Sequence, residues 1–165
     1  MNILVTGGCG YKGHVLIPKL LDKGHNVTVI DTMWFGNFLV PNKNLKTIKA
    51  DLRDSKAYST ENVDTVIHLA SVANDPCADL DQILTWEVST LATLELLIKC
   101  KRAKVKQFIY ASSGSVYGVK TEPNVTEDLD LVPISAYNKT KMVAERLVLS
   151  YADTFNVQIV RPATV

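Results

Sequence analysis

Apolar, β-rich runs of five residues recur along the chain: Asn2 to Thr6, Asn26 to Ile30, Leu45 to Lys49, Thr65 to Leu69, Gln107 to Ala111 and Asn156 to Val160. Short, continuously apolar runs predict strands buried on both faces, and parallel pairing requires a crossover between each strand and the next. The intervening stretches supply those crossovers, because their apolar residues follow a helical period. Tyr11 to Lys23 reads as the first helix, with Gly24 as its stop and Pro18 predicting a kink. From Ala78 to Lys101 the apolar positions Leu80, Ile83, Leu84, Val88, Leu91, Leu94 and Ile98 lie mostly three or four apart, which predicts one long amphipathic helix. Ser135 to Tyr151 carries Met142, Val143, Leu147 and Leu149, with Ser135 placed to cap it. The alternation predicts an α/β fold, a doubly wound parallel sheet of about six strands with helices on both faces. The longest irregular stretch, Ser112 to Ile134, contains Pro123 and Pro133, and a loop of that length predicts the border of a site.

With 165 residues, the chain is long enough for one domain that buries roughly 70% of its unfolded surface. A hydrophobic share of 47% and a charged share of 21% exclude wholesale disorder. A net charge of +1 gives no reason to expect nucleic acid or an anionic membrane as partner, and the basic stretch Lys99 to Lys106 reads as a solvated helix end. No apolar run reaches the roughly 18 residues of a membrane span. The chain starts directly on Ile3-Leu4-Val5 without a basic leader, so a cytoplasmic location is expected. Cys9, Cys77 and Cys100 form no Cys-x-x-Cys pair and read as reduced thiols. His14, His25 and His68 lack ligand spacing, so no metal is expected.

The first strand runs into Thr6-Gly7-Gly8-Cys9-Gly10-Tyr11-Lys12-Gly13, which spaces Gly7, Gly10 and Gly13 as a strand gives way to a helix. In that context the first glycine permits a tight turn, the second lets backbone approach a pyrophosphate, and the third allows close packing of helix on strand. Asp31 closes the second strand, where a carboxylate accepts hydrogen bonds from an adenosine ribose and repels a 2′-phosphate. The motif therefore predicts a Rossmann-type domain over residues 1–165 that prefers NAD to NADP. Asp51-Leu52 follows the third strand, where Asp51 either faces the adenine amino group or is an ordinary turn aspartate. Lys12 either brings a cation to the pyrophosphate or points to solvent. Tyr137 and Lys141 are four apart on one helix, so phenol and ammonium are neighbours. A unit charge about 4 Å away at an effective dielectric of about 20 is worth roughly 4 kcal/mol, an upper figure of about three pKa units. Such a charge would bring a tyrosine towards working as a base near neutrality.

These residues, with His68-Leu69-Ala70-Ser71 and Ser112-Ser113-Gly114-Ser115-Val116-Tyr117-Gly118, resemble the extended short-chain dehydrogenase/reductases, specifically the NAD-dependent nucleotide-sugar epimerase/dehydratase group. The resemblance implies a catalytic set of Ser113, Tyr137 and Lys141, with Ser112 and Ser115 as competitors for the serine role. It implies cofactor contacts from Gly7, Gly10, Tyr11, Lys12, Gly13, Asp31, Asp51, Leu52, Leu69, Ala70, Ser71, Ser89, Tyr137, Lys141 and Pro162. Tyr117 is expected to be structural or a substrate contact. The implied reaction is transient oxidation of a sugar carbon, usually C4, with Tyr137 taking the hydroxyl proton and NAD the hydride. Lys141 would hold the phenolate and the nicotinamide ribose. Dehydratase relatives carry a carboxylate where this chain has Gly114 and Ser115, which favours epimerisation or simple oxidoreduction. Ser89 and Ala92 stand where relatives often have Asn and Gly. The alternatives to an epimerase are a net oxidoreductase and a non-catalytic NAD-binding module.

Relatives of this group continue past the sixth strand with a substrate domain, so the chain reads as their N-terminal portion. It is expected to bind NAD but to turn over nucleotide-sugars poorly, to expose apolar surface, and to self-associate as a homodimer.

Overall fold

Six parallel strands form one sheet, and the computed structural model describes residues 1–163. The strands are β1 (Asn2–Thr6), β2 (Asn26–Asp31), β3 (Leu45–Lys49), β4 (Thr65–His68), β5 (Gln107–Ala111) and β6 (Asn156–Val160), in the order β3-β2-β1-β4-β5-β6. This is the doubly wound order, in which the direction of winding reverses between β1 and β4. Side chains alternate between the two faces as the strand period requires. Leu4, Ile30, Val66, Phe108 and Tyr110 enter one core, whereas Ile3, Val5, Val27, Val29 and Ile67 enter the other. The first core is covered by α4 (Ala92–Arg102) and α5 (Ala136–Leu149), and the second by α1 (Tyr11–Asp22) through Leu16, Ile17, Leu20 and Leu21. Helices thus cover both faces, as the sequence predicts. The edge strands β3 and β6 depart from the expected two-sided burial: each has a neighbour on one side only, and none of their residues is fully buried.

Helix α1 continues through Pro18 as one element and ends where Gly24 was expected to stop it, with Gly24 N–H on the Leu21 carbonyl and His25 N–H on that of Leu20. Ser135 caps α5 by accepting from the Asn138 amide at 3.1 Å, and its hydroxyl also donates to Asp75. The single long helix predicted from Ala78 to Lys101 is instead broken. Its place is taken by α2 (Asp75–Leu80), α3 (Gln82–Trp86), a π-helical turn (Glu87–Leu91) and α4. Asp81 is extended and its carboxylate accepts from the Leu84 amide, so it ends one helix and caps the next. Asn74 caps α2 in the same way, and proline follows Asp75 in the first turn. Leu80 and Ile83, two of the positions that set the amphipathic spacing, are 87% and 74% exposed.

The basic stretch is more than a solvated helix end. The Lys99 ammonium lies 4.1 Å from the Tyr58 ring centroid and donates to the Tyr58 carbonyl at 2.7 Å, tying α4 to the loop after β3. His68 has a structural role that its spacing did not reveal. It is fully buried between Thr6 Oγ1 (2.6 Å from Nδ1) and Thr93 Oγ1 (2.8 Å from Nε2), and so bridges β1, β4 and α4. Burial, with the Lys141 charge adding, pulls its pKa down to about 3. An unfolded chain takes up this proton below about pH 6.5 while the folded one refuses it, so stability falls as pH drops from about 6.5 towards 3, by about 1.4 kcal/mol per unit. Urea unfolding at pH 6.5 and pH 5 should therefore show the wild type losing about 2 kcal/mol more than His68→Gln. Equal losses in the two proteins would refute this account.

Candidate functional site

The C-terminal ends of β1, β2, β3, β4 and β5 open into one cleft of ≈ 720 Å³. In open α/β sheets this is where ligands bind, at the reversal of strand order. Gly7 from β1, Asp31 from β2, Ala50 to Leu52 after β3, Leu69 to Ser71 after β4, and Ala111 and Ser112 from β5 all line it. Tyr137 and Lys141 reach it from α5.

The glycine loop divides its labour. Gly7 has φ +70°, and a Cβ there would lie 2.6 Å from the Ala70 backbone nitrogen, so the loops after β1 and β4 touch backbone to backbone. A Cβ on Gly13 would overlap the Gly8 backbone, 2.6 Å from its Cα, which makes Gly13 a packing residue outside the cleft lining. Gly10 lines the cleft, and its Cβ would meet only the Gly7 carbonyl oxygen at 3.4 Å. Gly10 is also the N-cap of α1, whose first turn carries no side-chain cap and no acidic residue. The free amides and dipole of that helix end favour an anion.

Asp31 is fixed by backbone: Cys9 N–H donates to Oδ2 at 2.9 Å and Met33 N–H to Oδ1 at 2.7 Å. A carboxylate has about four acceptor positions, so about two remain for ribose hydroxyls. Asp51 also lines the cleft, but its carboxylate is engaged by Arg53 at 2.8 Å, whose other arm reaches Glu87 at 2.7 Å. The Arg53 hydrogen bond holds Asp51 below the ordinary carboxylate pKa. Lys12 faces the cleft, and so do Tyr11, Leu52, Leu69, Ala70 and Ser71. Ser89 and Pro162 are not among the lining residues. Ser89 is buried with its hydroxyl 3.0 Å from Ser71 Oγ, and the Pro162 carbonyl accepts from Gly114 N–H at 2.9 Å.

Tyr137 and Lys141 are brought together, with the ammonium 5.9 Å from the phenol ring centroid. The electrostatics differ from the expectation. Burial raises the Tyr137 pKa, and the Asp75 charge adds to the rise. Lys141 is itself buried and donates to the Ala111 carbonyl at 2.8 Å. Its pKa falls to about 7, first through burial and then through the Lys12 charge, with Glu145 pulling the other way. Its surroundings thus favour the neutral amine more than water does. Desolvation is the largest influence on both groups.

Ser113 is connected through residues the sequence left in minor roles. Ser115 donates to Asn138 Oδ1 at 2.6 Å and has only one hydroxyl proton, so its 2.7 Å contact with Ser113 is one in which Ser113 donates. Ser112 is buried, lines the cleft, and has no partner for its hydroxyl among the described residues. That orphaned hydroxyl, the open position at Gly10 and the spare acceptors of Asp31 all fit a dinucleotide. Tyr117 is structural: its hydroxyl accepts from Arg161 at 2.7 Å, under a guanidinium 5.0 Å from the ring centroid. Of the irregular stretch from Ser112 to Ile134, only Ser112 lines the cleft. Asp75, beside the tyrosine, was missed; its one signal was the Asn74-Asp75-Pro76 helix start.

A doubly wound sheet with a glycine loop at one end of the cleft and a tyrosine, lysine and serine at the other defines a dinucleotide-binding domain of the short-chain dehydrogenase/reductase class. Comparison with known proteins narrows the class. Residues 3–165 match the model of the NAD dependent epimerase/dehydratase family. The chain belongs to that family. It is 30% identical over 157 residues to a UDP-glucose 4-epimerase of Lactobacillus helveticus, covering 93% of this chain and 47% of that protein. It is 33% identical over 172 residues to UDP-arabinose 4-epimerase 1 of Arabidopsis thaliana, covering 96% of this chain and 41% of that protein. The structure of the UDP-glucose 4-epimerase of Thermus thermophilus in complex with NAD superposes with a TM-score of 0.85 at 29% identity, over 98% of this chain and 54% of the other. The chain therefore spans about half the length of these relatives. Among the described residues there is no cluster of potential metal ligands and no helix long and apolar enough to cross a membrane.

Proposed function

We propose that this chain forms the NAD-binding and proton-transfer portion of a nucleotide-sugar 4-epimerase. The observation that carries the reading is the convergence of Tyr137 and Lys141 on the cleft that the glycine loop enters from its other side. The free amides at the start of α1 would hold the pyrophosphate, Asp31 the adenosine ribose, and Lys141 the nicotinamide ribose. Asp31 opposes a 2′-phosphate, which favours NAD over NADP. Bound NAD supplies reversible acceptance of hydride from the sugar carbon.

Tyr137 accepts the proton of the sugar hydroxyl, and Ser113 orients that hydroxyl. Protonated Lys141 stabilises the phenolate by charge. The proton returns from Tyr137 when the keto-sugar is reduced on its other face. Gly114 and Ser115 offer no carboxylate for loss of water, which argues for epimerisation over dehydration. The similarity to UDP-sugar 4-epimerases supports a uridine diphosphate sugar as substrate. Three free cysteines support a cytoplasmic setting, and the exposed Leu80, Ile83 and Leu91 support self-association as a homodimer.

The reading is tested by supplying UDP-galactose and NAD and following both UDP-glucose formation and reduced nicotinamide. Tyr137→Phe should lower turnover by about two to four orders of magnitude while NAD affinity stays within a few-fold. Turnover that is well above background and equal in both proteins would exclude Tyr137 as the base. Steady release of reduced cofactor would identify a net oxidoreductase.

A further inference from the structure

The dinucleotide reading leaves three aromatic side chains without a role. Trp34, Phe35 and Phe38 are 58%, 82% and 70% exposed, and all three line the cleft on the segment that leaves Asp31. A single exposed aromatic needs no explanation, but three within five residues at the mouth of one cleft do.

The segment is fixed by its own hydrogen bonds. Asp31 Oδ1 accepts from Met33 N–H, and Gly36 N–H donates to the Met33 carbonyl at 3.0 Å, closing a turn around Trp34 and Phe35. Asn37 Oδ1 then accepts from Leu39 N–H at 3.1 Å, and Leu39 packs against the core under α1. Gly36 has φ +92°, and a Cβ there would lie 3.2 Å from the Phe38 ring, so that ring rests against bare backbone. The same carboxylate that faces the ribose site therefore anchors the aromatic turn.

Ala50, Asp51 and Leu52 line the cleft as well, at the end of the strand beside β2. The aromatic segment itself carries no charge between Thr32 and Asn42. A flat, uncharged, polarisable ring attached to the ribose held by Asp31 matches that surface, and the adenine of a dinucleotide is such a ring.

We propose that Trp34, Phe35 and Phe38 form an aromatic cover for the adenine ring, so that this chain's hold on the dinucleotide is concentrated in its adenosine half. The proposal rests on the NAD reading above, and its test separates the two. Base stacking on aromatic side chains is sequence-tolerant and strong enough that its loss lowers affinity by about ten- to a hundredfold.

The probes are NAD, ADP-ribose and nicotinamide mononucleotide, titrated calorimetrically and by tryptophan fluorescence. NAD and ADP-ribose should both change Trp34 emission, and Trp34→Phe should remove that signal. The triple substitution Trp34→Ala, Phe35→Ala, Phe38→Ala should weaken NAD and ADP-ribose by the same factor, about ten- to a hundredfold, and leave nicotinamide mononucleotide unchanged. Because these side chains are exposed, circular dichroism and the ligand-free melting temperature should not move.

Unchanged NAD and ADP-ribose affinity in the triple variant overturns the cover. If in addition the triple variant loses concentration-dependent sedimentation, the aromatic turn contacts another copy of the chain and the proposal is again overturned. Loss of NAD binding in Gly10→Val, with none in the aromatic variants, would leave the dinucleotide reading standing and remove only this one. Failure of the wild type to bind either NAD or ADP-ribose would overturn both.

Discussion

Glu145→Ala is expected to cost about 3–5 kcal/mol of stability, a fall of about 10 °C in melting temperature for a chain of this size. Glu145 is 1% exposed, and both its oxygens are used: Arg161 donates from Nε at 3.0 Å and from Nη2 at 2.7 Å. The remaining arm of the guanidinium holds the Tyr117 hydroxyl. One ion pair therefore joins α5, the end of β6 and the 3-10 turn Gly114–Tyr117 that follows Ser113. The Glu145 hydrogen bonds keep Arg161 charged, its pKa pushed above the ordinary arginine value. Removing only the carboxylate leaves a largely buried cation without its partner, which costs more than the pair itself contributes. The double substitution Glu145→Met, Arg161→Met should consequently recover most of the loss. Urea unfolding of the three proteins checks this, and a double variant no better than Glu145→Ala would contradict it. Glu145 also supports the charge of Lys141, so any residual folded Glu145→Ala should hold that lysine more neutral.

Gly13→Val and Gly10→Val are expected to fail in opposite ways. At Gly13 the added carbon falls on the Gly8 backbone, which cannot rotate aside as a side chain would. Helix α1 would have to lift off the loop, at a cost of about 3 kcal/mol or more. Melting temperature and NAD binding should then fall together. At Gly10 the nearest atom is 3.4 Å away and φ is −79°, which any residue adopts. The ligand-free melting temperature should stay within about 3 °C, because the change costs less than about 1 kcal/mol. NAD affinity should nevertheless drop more than about a hundredfold, because the valine methyls occupy the position where backbone must approach the pyrophosphate. Melting with and without NAD separates the two. Retained NAD stabilisation in Gly10→Val would mean that the phosphates bind elsewhere.

The four inner strands were legible because each is a short run that the sheet buries, and residues such as Val5, Ile67 and Phe108 have no other place to go. The cleft was legible for a related reason: the glycine spacing and Asp31 are demands of backbone geometry, which sequence records directly. The broken helix was not. Leu80 and Ile83 keep the three-and-four spacing of a buried face while lying in solvent, and Asp81 reads as one more polar position until its carboxylate is seen to cap the next helix. The Asn74 cap and Pro76 were the readable marks of the true start. The charge state of Tyr137 was hidden for a different reason. Spacing gives the proximity of a cation, whereas the pKa depends on how much water both groups have lost, and that is a property of the packed helix. The connection of Ser113 through Ser115 to Asn138 likewise needs the loop and helix to be set side by side.

The π turn at Glu87–Leu91 has its amide-to-carbonyl bonds drawn one residue further apart than in the helices on either side, as in the Ala92 N–H bond to the Glu87 carbonyl. The helix thereby carries one residue more than its axial length needs, and that surplus sets the angular offset between Thr85 before the turn and Thr93 after it, both of which are buried. The offset depends on residue count and not on the identity of any one side chain. Loss or gain of a single position in the turn would therefore rotate one half of the helix against the other by about 100°.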